Sequence, residues 1–78
     1  MNIQTVEQLG ATIRSRRKDL GVTQKDLAMI CGTGLRFIVD LEKGKQTCQI
    51  GKILLVIQAL GLKVDLDAIS IDTRNERD

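Results

Sequence analysis

The sequence has no histidine, tryptophan or tyrosine, and its 78 residues include one phenylalanine and two cysteines. Histidine is the residue most often used as a general base, so the serines and cysteines have no base that could activate them as nucleophiles. The chain also lacks a carboxylate pair in an aromatic cleft and a glycine-rich phosphate loop that follows a strand. We therefore expect that the protein is not an enzyme.

Cys31 and Cys48 cannot form an ordinary zinc site. Such a site takes four ligands from cysteine and histidine, and two cysteines without a histidine do not supply them. Two cysteines in a chain with no secretory signal indicate buried or free thiols in a reducing compartment. No apolar run is long enough to span a bilayer. We expect a cytoplasmic protein with no metal, no cofactor and no membrane contact.

The length of the chain limits it to one small domain. A domain of 78 residues buries a modest fraction of its surface, so association with a second copy is an expected source of stability. Phe37 is the one aromatic residue, while apolar residues make up 42% of the sequence. The core is therefore expected to be aliphatic.

Positive charge is concentrated in the middle of the chain. Residues 14–52 contain nine basic and four acidic residues, a net charge of +5, whereas residues 63–78 contain three basic and five acidic residues, a net charge of −2. This distribution favours a middle segment that contacts a polyanion. An unevenly charged, solvated surface explains the same count equally well.

Four glycines divide the chain into four predicted helices. Glycine tolerates the left-handed conformation just after a helix. Four glycines follow helix-compatible segments: Gly21, Gly32, Gly44 and Gly61. Apolar residues at helical spacing form the predicted core: Val6, Leu9, Ile13, Leu20, Leu27, Ala28, Ile30, Cys31, Phe37, Ile38, Leu41, Ile50, Ile53, Leu54 and Ile57.

Threonines mark the predicted starts of the first two helices. Thr5 is followed three residues later by Gln8, which is the spacing of a capping box, and Thr23 is followed by Asp26 in the first turn. The third helix is predicted from about Gly34 to Lys43 and the fourth from about Gln49 to Leu60.

The period of the pattern changes after the fourth helix. Leu62, Val64 and Leu66 alternate with charged residues, which is typical of a half-buried strand. One strand cannot pair with itself, so we expect it to pair with its copy in a dimer. Residues 1–70 are predicted to form the domain and residues 71–78 a flexible tail.

The second and third helices flank a short turn at Gly32, as in a helix-turn-helix. Several elements resemble the Cro/phage-repressor (XRE-type) family over about residues 9–62: Thr23-Gln-Lys-Asp-Leu-Ala, Gly32, Ile38, Leu41-Glu-Lys-Gly-Lys and Leu60-Gly61. The segment from Gly34 to Lys45, followed by one helix and a strand, is similar to HipB-like antitoxins. The resemblance implies a mainly α, four-helix repressor-type domain whose short C-terminal β-strand pairs across a dimer.

The resemblance also assigns DNA contacts by position. Four residues of the third, recognition helix would face base edges: Leu35, Arg36, Val39 and Asp40. Phosphates would be bound by the turn, by the first helix and by the loop after the recognition helix: Thr23, Gln24, Thr33, Gly34, Lys43, Lys45, Thr47, Arg14 and Arg17. Gln24 is further expected to support the recognition helix.

Some of these positions depart from the family pattern. Gly34 occupies the position where a serine or threonine usually caps the third helix, so Thr33 or the bare backbone must cap it instead. Leu35 and Val39 cannot make bidentate hydrogen bonds with a base, so they either contact thymine methyls or bind another protein. Arg36 either reads guanine, which is worth about 1–3 kcal/mol, or contacts phosphate without reading sequence.

The fourth helix is apolar on more than one side. Beyond its predicted core stripe, further apolar residues extend around it, and such a helix is buried on two faces. We expect the second face to pack on a partner subunit beside the terminal strand: Leu55, Val56, Ala59, Leu62, Val64 and Leu66.

The leading hypothesis is a dimeric repressor that binds a double-stranded DNA operator. The HipB resemblance extends it to an antitoxin that holds a HipA-like kinase toxin and represses its own operon. The alternatives are a stand-alone XRE-type repressor without a toxin and a protein-interaction module that uses the same fold.

Overall fold

A computed structural model describes residues 2–68 of the chain, which form four α-helices. They are α1 (Val6–Asp19), α2 (Gln24–Cys31), α3 (Leu35–Glu42) and α4 (Ile50–Ala59). The predicted helices are confirmed to within one or two residues at each end. None of the helices in residues 2–68 is long and apolar enough to cross a membrane.

Threonine caps begin the first two helices as predicted. The Thr5 hydroxyl accepts a hydrogen bond from the Gln8 N–H at 3.0 Å, and the Gln8 side-chain oxygen accepts one from the Thr5 N–H at 3.2 Å. Thr23 and Asp26 make the same reciprocal pair at the start of α2, at 3.0 and 3.4 Å. Two N–H groups are thus satisfied at the start of each of these two helices.

The helices end at the glycines that the sequence indicates. Gly21, Gly32, Gly44 and Gly61 have φ between 70° and 83°. The residue that follows the glycine after α1 and after α4 is apolar, and its N–H closes the turn. The Val22 N–H donates to the Arg17 carbonyl at 3.2 Å, and the Leu62 N–H donates to the Ile57 carbonyl at 3.0 Å. This is the Schellman pattern, and it turns the chain sharply after each helix.

The core lies where α3 packs against α1 and α2, and where α4 packs against α2. It is aliphatic, as predicted, and its buried members come from all four helices and the end of α4: Ile13, Leu27, Ala28, Ile38, Leu41, Ile53, Val56, Ile57 and Leu60. Cys31 and Cys48 are free thiols packed against this core, and burial raises the pKa of Cys31.

Several predicted core residues are exposed instead. Leu20, Ile30, Ile50 and Leu54 keep between 43% and 68% of their surface, whereas Val56, predicted at a subunit interface, is completely buried. Because α4 is apolar almost all round, its sequence pattern does not fix which side faces the core. The interface prediction for Val56 is therefore wrong. Ile53 and Ile57 are buried as predicted, but Val56 and Leu60 complete the core stripe in place of Ile50 and Leu54.

Gly10 has a packing function that the sequence did not reveal. A Cβ atom on Gly10 would overlap the backbone oxygen of Leu41 and lie 2.8 Å from that of Glu42. Glycine costs a helix interior about 1 kcal/mol relative to alanine. Here it lets α1 cross the end of α3 in backbone contact.

Residues 62–68 follow α4, and no strand is present in the described residues 2–68. The predicted strand needs a second copy to pair with, so a single chain does not test it. Val64 and Leu66 are 51% and 92% exposed and thus have apolar surface available. The predicted flexible tail, residues 71–78, lies outside the described residues.

Candidate nucleic-acid interface

The turn between α2 and α3 brings the two helices into close contact. Gly32 takes the left-handed conformation, and the Thr33 N–H then donates to the Ala28 carbonyl at 3.0 Å. Leu27 and Ala28 of α2 are 1% and 4% exposed, which agrees with their prediction as core residues. The outer side of α3 is left free.

A buried ion pair fixes the end of α3 to α1. Arg17 Nε donates to Glu42 Oε2 at 2.6 Å and Arg17 Nη2 donates to Glu42 Oε1 at 3.0 Å, with both side chains at most 9% exposed. Arg17 Nη1 donates to the Val22 carbonyl at 2.8 Å. The hydrogen bond from Arg17 to Glu42 raises the pKa of Arg17 against the opposing effect of burial. Such a bidentate, charge-assisted pair sets the helix geometry tightly.

Gln24 joins the same network from the first turn of α2. Its Nε2 donates to Glu42 Oε1 at 3.0 Å, so one carboxylate ties together α1, α2 and α3. The expected support of the recognition helix by Gln24 is therefore present. A phosphate contact by Gln24 stays a prediction.

Two predicted phosphate contacts do not fit this geometry. The guanidinium of Arg17 is buried and its donors are engaged by Glu42 and Val22, so it acts as a structural residue. The hydroxyl of Thr33 is buried with no hydrogen-bond partner in residues 2–68, and its N–H is bound to Ala28. The backbone at Gly34 begins α3, since within the described residues no side chain caps that end.

The remaining predicted residues of α3 lie on its outer side. Leu35 is 46% exposed and the Arg36 side chain 83%, while Val39 and Asp40 are partly exposed. One surface cleft brings Val39 and Lys43 of this side together with Arg14 and Gln24. Residues of three helices that were predicted to bind DNA thus meet at one surface.

Cationic side chains surround this surface. Arg14 and Lys18 also line a neighbouring cleft beside Thr23 and Gln24, at the N-terminus of α2. Lys43 and Lys45 are exposed, as is Thr47 in the loop that follows α3. The partial positive charge of a helix N-terminus and the adjacent cations favour a polyanion at this place.

The predicted dimer residues divide into one that is buried and five that retain surface. Val56 belongs to the core, as described above. The others are half-buried or exposed on α4 and in the segment after it: Leu55, Ala59, Leu62, Val64 and Leu66. Leu54, predicted in the core, is 43% exposed and extends the same apolar surface.

The buried pair of Arg17 and Glu42 was missed by sequence reasoning. Glu42 is a second acid, after Asp40, on a helix that is predicted to face DNA, and that placement was the available signal. A carboxylate there would repel DNA unless a partner inside the protein neutralised it.

The profile of the helix-turn-helix (HTH_3) family matches residues 13–66, more than half of the chain. A relative from Sinorhizobium fredii (strain NBRC 101917 / NGR234), named "Uncharacterized HTH-type transcriptional regulator y4mF", is 52% identical over 64 residues. The match covers 82% of this chain and 84% of the relative. The chain belongs to the XRE-type helix-turn-helix family of transcriptional regulators.

Solved structures of HipB superpose on this helix-turn-helix protein. The chain from the "Structure of HipA-HipB-O2-O3 complex" has a TM-score of 0.82, with 90% of this chain and 99% of that chain covered. The chain from the "HipB-O4 20mer complex" has a TM-score of 0.81 over the same shares. Both are 23% identical to this regulator, so the likeness establishes the fold, and the predicted repressor-type helical domain is confirmed.

Proposed function

We propose that this regulator is a sequence-specific dimeric repressor that reads a double-stranded DNA operator with α3 and is not an enzyme. The observation that carries the proposal is the exposed side of α3, which is held by the network of Gln24, Glu42 and Arg17 and bordered by Arg14 and Lys43. A rigid helix with a free polar and apolar side beside cations is what major-groove reading requires. The proposal also includes a cytoplasmic location.

The contacts divide into base reading and phosphate binding. Leu35 and Val39 would contact thymine methyls, and Arg36 would make a bidentate contact with guanine. Backbone phosphates would be held by residues around these: Arg14, Thr23, Gln24, Gly34, Lys43, Lys45 and Thr47. The phosphate contacts position the protein, while the base contacts select the sequence.

The proposal includes a two-fold dimer through the outer side of α4. Leu55 is 51% exposed on this helix, and apolar residues continue into the segment that follows. A monomer of this size gains from covering such a surface, since exposed apolar patches mark association sites. A symmetric dimer would place two copies of α3 in successive major grooves, about 34–36 Å apart.

We test base reading with a library of randomised duplexes, from which the wild-type protein selects a preferred site. Fluorescence anisotropy then compares the selected duplex with a shuffled one across a salt series. Arg36→Ala should lose preference for the selected duplex by about 5- to 150-fold, the equivalent of about 1–3 kcal/mol. Arg14→Ala is the matched control, because loss of a phosphate contact weakens both duplexes alike.

The alternative is a protein-interaction module that uses Leu35 and Val39 as an apolar contact surface. It predicts no enrichment from the duplex library and no salt-dependent binding by the wild-type protein. It also predicts that Arg36→Ala has no effect on DNA affinity. The absence of any enriched duplex would reject the repressor proposal, whereas enrichment with no effect of Arg36→Ala would reject only the role of Arg36.

We further propose that the regulator is a HipB-like antitoxin that binds a HipA-like kinase toxin and represses its own operon. The fold likeness to HipB supports this, and one of those solved complexes contains HipA. Co-expression with a kinase encoded beside its gene, followed by size-exclusion chromatography, tests it. Absence of co-elution would leave a stand-alone XRE-type repressor.

A further inference from the structure

Asp40 is an acid on the side of α3 that is proposed to face DNA. Its side chain is 18% exposed, so it lies against the helix surface rather than in solvent. Oδ1 is 3.4 Å from Nε of Arg36, one turn earlier, and Oδ2 is 3.4 Å from Nζ of Lys45 in the following loop. Each carboxylate oxygen of Asp40 therefore faces a different cation.

This arrangement leaves Asp40 poorly suited to read a base. In the major groove a carboxylate accepts hydrogen bonds from cytosine N4, and it is repelled by the phosphates around it. Both oxygens of Asp40 already have cationic partners within the protein. A direct base contact would have to displace one of them.

The same arrangement orders the side chain beside it. Arg36 is 83% exposed, and a long exposed arginine loses considerable rotamer freedom when it is fixed on DNA. A contact between Nε and Asp40 restrains the side chain along its length and leaves both terminal nitrogens available. Such pre-ordering lowers the cost of a bidentate contact with guanine.

Asp40 also acts on the charge of the surface. One carboxylate faces two cations, so Arg36 and Lys45 present less free positive charge to phosphates of arbitrary sequence. Non-specific binding depends almost entirely on that charge. This reduction in free positive charge therefore weakens non-specific binding more than specific binding.

We propose that Asp40 is a positioning residue that sets specificity by holding Arg36 for base reading and by restraining Lys45 from phosphates. The inference rests on the proposed function. It replaces the expectation that Asp40 itself reads a base and the proposal that Lys45 binds a phosphate in the wild-type protein. Removal of the Asp40 carboxylate should therefore strengthen DNA binding in general and weaken discrimination between DNA sequences.

The test compares wild type, D40N, R36A and the double variant R36A/D40N on the duplex selected by the wild-type protein and on its shuffled version. D67N is the matched control, because it removes one negative charge from an exposed residue outside the helices. Circular dichroism melting of each variant confirms that it is folded.

For D40N we expect affinity for the shuffled duplex to rise about threefold. The ratio of selected to shuffled affinity should fall about three- to fivefold in the dimer, as restraint of one exposed Arg36 in each protomer is lost. The slope of log affinity against log salt should steepen by about 0.9 per protomer, since Lys45 becomes free to neutralise a phosphate. Adding K45Q to D40N should remove the steeper slope. In the R36A background, D40N should lower the ratio by clearly less, because only the part that comes from Lys45 remains.

The outcomes separate this inference from the proposed function. If wild type prefers its selected duplex and R36A loses that preference, while D40N matches D67N in ratio and slope, base reading stands and the role of Asp40 is overturned. A D40N ratio that falls equally in the R36A background also overturns it, because Asp40 would then contact DNA independently. If wild type shows no preferred duplex, the proposed function and this inference fail together.

Discussion

Two regions of the molecule differ in whether their buried and apolar groups find partners within the chain. One is the region where α1, α2 and α3 meet, and the other is α4 with the segment after it. In the first, the buried charged groups are paired within the chain, as Glu42 is with Arg17 and Gln24. In the second, apolar surface remains open on Leu55 and Leu66. The first region is complete in one chain, whereas the second is expected to be completed by another copy. The reading surface and the association surface are thereby kept apart.

Removing Glu42 should break the first region most severely. Glu42→Ala leaves the buried guanidinium of Arg17 without its counter-charge and Gln24 without its acceptor. We expect a loss of about 3–5 kcal/mol in the free energy of unfolding, because an unpaired buried charge is strongly unfavourable. Urea unfolding at a fixed protomer concentration measures it.

The control for Glu42 replaces both charged partners by apolar residues. Arg17→Met with Glu42→Leu should cost clearly less than Glu42→Ala, since no charge is left buried. If the single substitution costs less than about 1 kcal/mol, the pair is solvated in solution and does not fix α3.

Neighbouring residues of α4 sharpen the comparison because they face opposite sides. Val56 is completely buried, so Val56→Ala should reduce the free energy of unfolding by about 2 kcal/mol and leave the dimer mass unchanged. Leu55→Glu places a charge on the open side and should convert dimer to monomer in sedimentation equilibrium. Retention of the dimer by Leu55→Glu would contradict an interface on this side.

The two regions also differ in how far the sequence predicts them. Helix starts and stops depend on neighbours a few residues away, such as Thr5 with Gln8 and Gly61 with Leu62, and they were predicted. The pairing of Arg17 with Glu42 joins residues 25 apart in the chain, so no local pattern contains it. For α4 the pattern itself is ambiguous, because apolar residues on nearly every side allow more than one core stripe.

For the candidate interface, position in the motif predicted which residues of α3 lie on its outer side. It did not predict their internal partners. Arg17 and Thr33 have the residue types that bind phosphate, yet burial withdraws their polar groups from the surface. Residue type and motif position do not reveal whether a donor is already engaged.

Two glycines, one in each region, differ in what an added methyl group would meet, and one of them has the smallest expected effect. Gly10→Ala should lower the free energy of unfolding by about 1–3 kcal/mol, because its new methyl group meets the α3 backbone, which cannot move aside without shifting the helix. Gly51 of α4 has nothing within 4 Å of an added Cβ, so Gly51→Ala should gain up to about 1 kcal/mol from helix propensity. Urea unfolding at matched protomer concentration compares them. Equal gains in both variants would mean that α1 does not approach α3 as closely as Gly10 implies, and that the contact holding the recognition helix is looser than the core around it.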